Sequence, residues 1–84
     1  MRVTTQDLYC GAYILSKGGR LEETNLARGR SGRPFVSFTF SGPNVEDISN
    51  EYQSGRAIAD MAAFKIAMEH LKDIIYEKTR ACGQ

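Results

Sequence analysis

The clearest pattern in the chain is an alternation of large apolar and small polar residues near its middle. Val36, Phe38 and Phe40 alternate with serine and threonine residues in the segment from position 34 to 41. Because successive side chains of a β-strand point to opposite faces, the pattern predicts a strand over residues 34–41 with these three side chains in the core. Small hydroxyl side chains then occupy its outward face.

An apolar segment near the start of the chain predicts a helix over roughly residues 5–17. Thr4 or Thr5 is positioned to cap its first turn, and the pair Gly18 and Gly19 is typical of a helix end. The apolar residues fall on almost every side of this helix, so we expect burial on almost every side. In so small a chain, such a helix is either the central core element or half of a dimer contact.

Two residues inside this helix have structural predictions of their own. Gly11 costs about 1 kcal/mol relative to alanine in a helix interior, which favours close approach of another backbone as compensation. Cys10 is expected to pack as a small hydrophobic residue, whereas Cys82, the third residue from the end of the sequence, is expected to be exposed.

A second, weaker strand is predicted over residues 20–26, where Leu21 and Leu26 are the large apolar residues. The segment between the two predicted strands, residues 27–33, is polar and interrupted by glycine, which is typical of a turn. Together these segments predict a two-stranded antiparallel hairpin. Its unpaired edges leave room for strand pairing with another chain.

A short helix and a long helix are predicted in the second half of the chain. The short helix begins after Asn44, a favourable N-cap, and ends at Gly55. A connector is then expected to carry Ile58 inward, and Asp60 is expected to cap the long helix, roughly residues 61–80. The long helix is amphipathic because large apolar residues recur every three or four positions. These residues are Met61, Phe64, Met68, Leu71 and Ile75.

The predicted elements follow the order α-β-β-α-α, which places the chain in the α+β class. The 84 residues are expected to form one small domain, residues 1–84. A domain of this size has a small stability margin, so pairing with a second copy is an economical way to bury more surface. The formal net charge of +1 provides no strong bias towards nucleic acid or a membrane surface.

Few residues in the chain are of the types that carry catalysis. It has a single histidine, His70, and two distant cysteines with no metal-ligand spacing around them. Catalytic and metal sites both need several such groups in one place. The glycine-rich segments match neither of the common phosphate-binding loops. We therefore predict that the chain is not an enzyme and has no metal site, no cofactor and no small-molecule ligand.

The predicted turn holds the strongest candidate for binding. Arg28, Arg30 and Arg33 lie close together and no acidic residue separates them. Arginines on a turn beside a β-ribbon can contact phosphates, so these three residues are the candidate site for nucleic acid or another polyanion. The alternative is that they are solvated charges that keep the sheet edge soluble. The low net charge favours this alternative.

The apolar first helix and the tyrosines favour a different function. Leu8, Tyr9 and Tyr13 are the candidate interface residues, because a tyrosine combines an apolar body with a polar tip that is common at interfaces. Packing at the margin of the core is the alternative role for these tyrosines. The sequence favours a non-catalytic protein-interaction or regulatory module that works as a homodimer or other homo-oligomer. Nucleic-acid binding through the arginines is the second hypothesis.

The targeting signals expected of exported or membrane proteins are missing from the sequence. The first residues contain no apolar segment typical of a signal peptide, and no apolar run is long enough to span a membrane. Together with the low cysteine content, this predicts a cytoplasmic protein without membrane contact.

Short segments in both halves of the chain carry a resemblance to a known family. The opening is Thr-Thr-Gln-Asp-Leu-Tyr (4–9), followed by an apolar helix that ends in Lys-Gly-Gly (17–19). The close is Glu-Tyr-Gln-Ser-Gly (51–55), then Asp60, Phe64 and Leu-Lys-Asp-Ile-Ile-Tyr-Glu (71–77). These segments resemble a small prokaryotic domain family of unknown function. The resemblance implies a compact stand-alone domain and supplies no activity, cofactor or binding residue.

Overall fold

The computed structural model describes residues 1–30 and 32–82 of the chain, without the side chains of residues 81 and 82. Its elements are β1 (Arg2–Thr5), α1 (Leu8–Ser16), β2 (Arg20–Arg28), β3 (Pro34–Ser41), α2 (Val45–Gln53) and α3 (Met61–Cys82). The α+β class is confirmed, but the sheet of the described residues has three strands rather than the two of the predicted hairpin. The prediction that the Cys82 side chain is exposed lies outside the described residues.

The strand that the sequence pattern missed is β1, which pairs with β3 on the side opposite β2. The sheet order is β1-β3-β2, and both outer strands are antiparallel to β3. β1 and β2 therefore run in the same direction, and α1 connects them as in a split β-α-β unit. Val3 is the single large apolar residue of β1, so this strand has no alternation to detect. Pairing with β3 stabilises it instead, and the Thr4 and Thr39 hydroxyl oxygens lie 2.9 Å apart.

β3 lies at the centre of the sheet and of the hydrophobic core, as its alternation predicts. Phe38 and Phe40 are fully buried, and Val36 is nearly so. They belong to one core cluster with residues of α1 and α3, which places the helices on this face of the sheet. The hydroxyl side chains of β3 face the other way, and Ser41 donates a hydrogen bond to Glu22 of β2 there.

α1 is the central core element that its apolar character predicts. The residues from Cys10 to Ile14 are buried by other parts of the same chain, and Cys10 packs as the small hydrophobic residue expected. A Cβ atom at Gly11 would lie 3.2 Å from Leu71 Cδ1 and 3.4 Å from the Phe40 ring. Side chains of α3 and β3 therefore approach Gly11, and the prediction of another backbone there is wrong.

The first turn of α1 is capped by Asp7 rather than by Thr4 or Thr5. The Asp7 carboxylate accepts hydrogen bonds from the backbone N–H groups of Tyr9, at 2.9 Å, and Cys10, at 3.3 Å. Thr4 and Thr5 belong to β1, where pairing with β3 keeps their backbone extended. The helix consequently begins three residues later than predicted.

The two later helices lie close to their predicted positions. Asp60 caps α3 by accepting a hydrogen bond from the Ala63 N–H at 2.9 Å. Asn44 precedes α2 but makes no side-chain capping bond. Gly55 follows α2 with a φ of +79°, a conformation that favours glycine. Leu71 is fully buried at the centre of the apolar stripe of α3.

Two apolar residues that the sequence places inside are exposed in the structure. Ile58 is 78% exposed and Met61 is 81% exposed, so both predictions are wrong. The rings of Tyr13 and Tyr52, with centroids 6.2 Å apart, line a surface cavity together with Ile58 and Met61. The Tyr13 hydroxyl accepts a hydrogen bond from the Ile58 N–H at 3.3 Å. This bond ties the connector backbone to α1 and leaves the Ile58 side chain outside.

Candidate functional site

A groove along one side of α3 is a large surface concavity with an apolar lining. Its first part, about 560 Å³, lies between α3 and β2, and its second part, about 370 Å³, lies between α3 and the end of α1. Both parts include His70, which makes them neighbours along the helix. We call the two parts together the α3 groove. Its lining residues are Leu15, Ser16, Leu21, Glu22, Glu23, Thr24, Ala63, Ile66, Ala67, His70, Asp73, Ile74, Glu77 and Lys78.

The helical repeat explains why α3 supplies a continuous wall. Its lining residues recur at steps of three and four from Ala63 to Lys78, which is the spacing that aligns side chains on one side of a helix. At 1.5 Å per residue, this wall is about 22 Å long. It lies beside the buried stripe centred on Leu71, so the groove follows the border between the core and the solvent.

The floor of the α3 groove is apolar. Leu21 of β2 and Ile74 of α3 are half-buried and pack against the core cluster in the first part. In the second part, Leu15 is half-buried against the core cluster and Ala67 belongs to the cluster itself. Ile66, which is 68% exposed, adds a large apolar side chain at this end. A partner that covers this floor would remove apolar surface from water at roughly 25 cal/mol per Å².

The rim of the first part is acidic. Two exposed carboxylates of α3, those of Asp73 and Glu77, line it. Glu22 and Glu23 of β2 also border the groove, but their carboxylates contact Ser41 and Arg2 on the opposite face of the sheet. Lys78 is the single lysine or arginine in the same lining. Asp73 and Glu77, four residues apart on α3, have no hydrogen-bond or ion-pair partner among the described residues. The two carboxylates outnumber the single lysine, so this end of the groove has a net negative charge.

The two glutamates of β2, unlike Asp73 and Glu77 of α3, have partners on the sheet. The Arg2 guanidinium lies 3.5 Å from the Glu23 carboxylate, and both side chains are more than half exposed. An ion pair so exposed contributes little to stability. Glu22 lies at an irregularity between Leu21 and Glu23, where β2 has one more residue than β3. The outer edge of β2 has no strand partner among residues 1–30 and 32–82.

The structure does not bring the three predicted interface residues together on one surface. Leu8 is half-buried against the core cluster, Tyr9 is exposed, and Tyr13 is buried. The Tyr13 hydroxyl donates a hydrogen bond to the Glu51 carboxylate at 2.8 Å, which joins α1 to α2. Burial, and secondly this bond, raise the pKa of Tyr13 above its usual value. Tyr13 is therefore a structural residue, and Tyr9 is the exposed aromatic side chain of the set.

The structure does bring the three predicted arginines together at the turn between β2 and β3. The turn is closed by a hydrogen bond from the Gly29 N–H to the Arg33 carbonyl at 3.0 Å. Arg28, the last residue of β2, donates from its guanidinium to the Gly32 carbonyl at 2.9 Å. The side chains of Arg30 and Arg33 are exposed on the same turn.

The part of the chain that the structure describes contains no group of three or more histidine, cysteine, aspartate or glutamate side chains placed to hold a metal ion. None of the helices within that part combines the length and the apolar character that crossing a bilayer requires. The thiol of Cys10 is free and buried beside α2, with its Sγ 3.8 Å from the Ser49 hydroxyl.

Comparison of the chain with protein-family models, with curated proteins and with solved structures finds no match. The resemblance to a small prokaryotic domain family therefore stays a prediction. Function has to be inferred from the geometry of the chain itself.

The sequence pattern missed the α3 groove because its two walls are far apart in the chain. Leu21 and Ile74 are separated by most of the sequence, and a helical pattern assigns Ile74 to the core. One signal was available. Ile66 is a large apolar residue far from the apolar stripe of its own helix, and such a residue on a solvent face indicates a contact surface.

Proposed function

We propose that the chain is a non-catalytic protein-interaction module that binds its partner in the α3 groove. The observation that carries this proposal is an apolar floor along a helix wall about 22 Å long, with charged residues at one end, beside a strand edge that is unpaired among the described residues. Apolar floors surrounded by polar groups are typical of interaction surfaces.

The chemistry of the groove supports binding rather than catalysis. Its carboxylates are exposed to water, whereas catalytic groups act in sites from which water is excluded. Its single histidine, His70, is also exposed and has no hydrogen-bond partner among the described residues. An open groove of this size is suited to one short segment of a partner.

A matched pair of isoleucines tests this proposal. Ile66 lines the groove and Ile58 does not, yet both are more than two thirds exposed, so a glutamate at either position leaves the core intact. Peptides are first selected on the wild-type chain from a random linear library, and their affinities are then measured by fluorescence anisotropy. We expect Ile66→Glu to weaken these peptides at least about tenfold, equal to 1.4 kcal/mol, and Ile58→Glu to leave them unchanged.

Chemical shifts of backbone amides locate the bound peptides independently. The largest changes are expected at groove residues such as Leu21 and Ile74. The proposal fails if no peptide is selected above the level of a control protein, or if the selected peptides bind equally to Ile66→Glu.

A second candidate function is nucleic-acid binding through the arginine-rich turn. The specific observation in its favour is that Arg28, Arg30 and Arg33 share one turn, with the last two side chains exposed. Three arginines support only weak, sequence-independent contact with phosphates, and such contact depends steeply on salt.

Filter binding with random single- and double-stranded DNA and RNA at low salt tests this candidate. We expect the double variant Arg30→Gln with Arg33→Gln to weaken binding and to reduce the salt slope by about two. Lys65→Gln with Lys72→Gln removes the same charge from exposed positions of α3 and is the control. Absence of binding, or equal loss in both variants, excludes the turn as a nucleic-acid site.

A further inference from the structure

We infer that the partner segment of the α3 groove is a basic amphipathic helix. The inference rests on the proposed function and adds the conformation and the charge of the ligand. Two features of the groove carry it: the acidic rim, and the shape of the walls on either side of the apolar floor.

The acidic rim determines the charge of the partner. Asp73 and Glu77 have no partner of their own among the described residues, and they lie one helical turn apart on the same wall. The carboxylates of Glu22 and Glu23 lie on the other face of the sheet, so the acidic wall of the groove is the α3 wall. A segment lying in the groove passes Asp73 and Glu77 on this side, so lysine or arginine on the flank that faces α3 is favoured.

The apolar floor determines the spacing of the partner's apolar residues. It extends from Leu15 and Ala67 at one end to Leu21 and Ile74 at the other. A helix of about 15 residues matches the α3 wall of about 22 Å, and its apolar residues at positions i, i+3, i+4 and i+7 cover the floor of about 10 Å between Ala67 and Ile74. Ile66 borders the non-acidic end, where the partner needs apolar rather than basic side chains.

An added β-strand is disfavoured as the occupant, although the edge of β2 is open. The irregularity at Glu22 interrupts the hydrogen-bonding pattern of this edge, and charged residues with bulges are the devices that protect edges from pairing. The second part of the groove is lined by Leu15 and Ser16 of α1, which offer no strand edge. A strand could therefore pair along only half of the groove, whereas a helix contacts its whole length.

Three synthetic peptides of about 15 residues test the inference by fluorescence anisotropy at low salt. The first has leucines at helical spacing flanked by lysines. The second replaces every lysine of the first by glutamate, and the third is the first peptide with two central residues replaced by proline. We expect the first peptide to bind and to gain helical circular dichroism on binding. The second and third are expected to bind at least about tenfold more weakly.

Charge reversal on the protein checks that the rim is responsible. The double variant Asp73→Lys with Glu77→Lys is expected to weaken the basic peptide at least about tenfold and to strengthen the acidic one. Glu46→Lys with Glu69→Lys makes the same change in net charge at exposed positions outside the groove and is the control. Because all four carboxylates are exposed, these variants are expected to keep the wild-type circular dichroism spectrum.

The outcomes separate this inference from the proposed function. If the basic and acidic peptides bind alike, or if both double variants weaken the basic peptide equally, the charge part of the inference is wrong. If the proline-containing peptide binds as well as the helical one and its signals show strand pairing along β2, the conformational part is wrong. In both cases library peptides that lose affinity for Ile66→Glu would still support a binding groove, whereas loss of all peptide binding would overturn both.

Discussion

Tyr13 shows how one residue can serve both the core and a polar contact. Its ring is buried between α1 and α2, while its hydroxyl donates to Glu51 and accepts from the Ile58 N–H. The sequence permitted two roles for this tyrosine, interface or core margin, because it has an apolar body and a polar tip. The positions of Glu51 and Ile58 in the structure decide between these two roles, and they make Tyr13 a residue of the core.

The raised pKa of Tyr13 predicts a decline of stability at alkaline pH. The unfolded chain ionises a tyrosine near pH 10, whereas burial first, and the Glu51 bond second, keep Tyr13 protonated in the folded state to higher pH. The contribution of Tyr13 to stability is therefore complete below about pH 10 and is lost as the pH rises above it. Tyr52 has a pKa shifted in the same direction, mainly by burial, and reinforces the effect.

Urea unfolding of the Tyr13→Phe variant measures this contribution. At neutral pH we expect a loss of about 1–2 kcal/mol from the two hydrogen bonds, and above pH 10 a shallower decline than in the wild-type chain. Tyr76→Phe, at an exposed tyrosine of α3, is expected to change neither quantity. Parallel pH profiles for the wild-type chain and Tyr13→Phe would contradict the prediction.

At the level of elements, the sequence correctly predicts those with a regular hydrophobic pattern. It does not predict a segment that forms only through contact with the rest of the fold. β3 and α3 each contain a repeated pattern of buried residues, and both occur where the sequence predicts them. β1 has four residues and one large apolar side chain, and it exists because β3 offers it a hydrogen-bonding edge. Because Thr4 and Thr5 belong to β1, they cannot cap α1, and the helix begins later than the sequence predicts.

The assignment of the α1 cap can be tested with a single substitution. Asp7→Ala removes the carboxylate that accepts from the Tyr9 and Cys10 N–H groups, and we expect it to lower the free energy of unfolding by about 1 kcal/mol. Asp7→Asn keeps a capping oxygen and is expected to stay within a few tenths of the wild-type value. If thermal denaturation shows no difference between the two variants, Asp7 does not stabilise the helix as a cap.

At the level of the whole molecule, the apolar character of α1 is explained without a second copy. The segment from Cys10 to Ile14 is covered by α2, α3 and the sheet of the same chain. Self-association therefore stays a prediction that depends on the exposed residue of the predicted interface, Tyr9, beside the half-buried Leu8.

Sedimentation velocity over a wide concentration range tests self-association. If Tyr9 contributes to a homodimer, the sedimentation coefficient of the wild-type chain rises with concentration, and Tyr9→Lys reduces this rise because it places a charge in an apolar contact. Tyr76→Lys alters a comparably exposed tyrosine on α3 and is expected to preserve it. A wild-type chain that stays monomeric at the highest concentration would contradict the prediction.

The sequence by itself determined the elements whose pattern is local: the alternation of β3, the amphipathic repeat of α3 and the apolar core helix that ends before Gly18 and Gly19. These follow from side-chain directions that repeat along a strand or a helix, so neighbouring residues are enough to predict them. Tertiary structure alone decided the pairing of β1, the exposure of Ile58 and the α3 groove. Each depends on residues distant in the chain that meet in space, where hydrogen-bond partners and available volume determine which side chains stay in water.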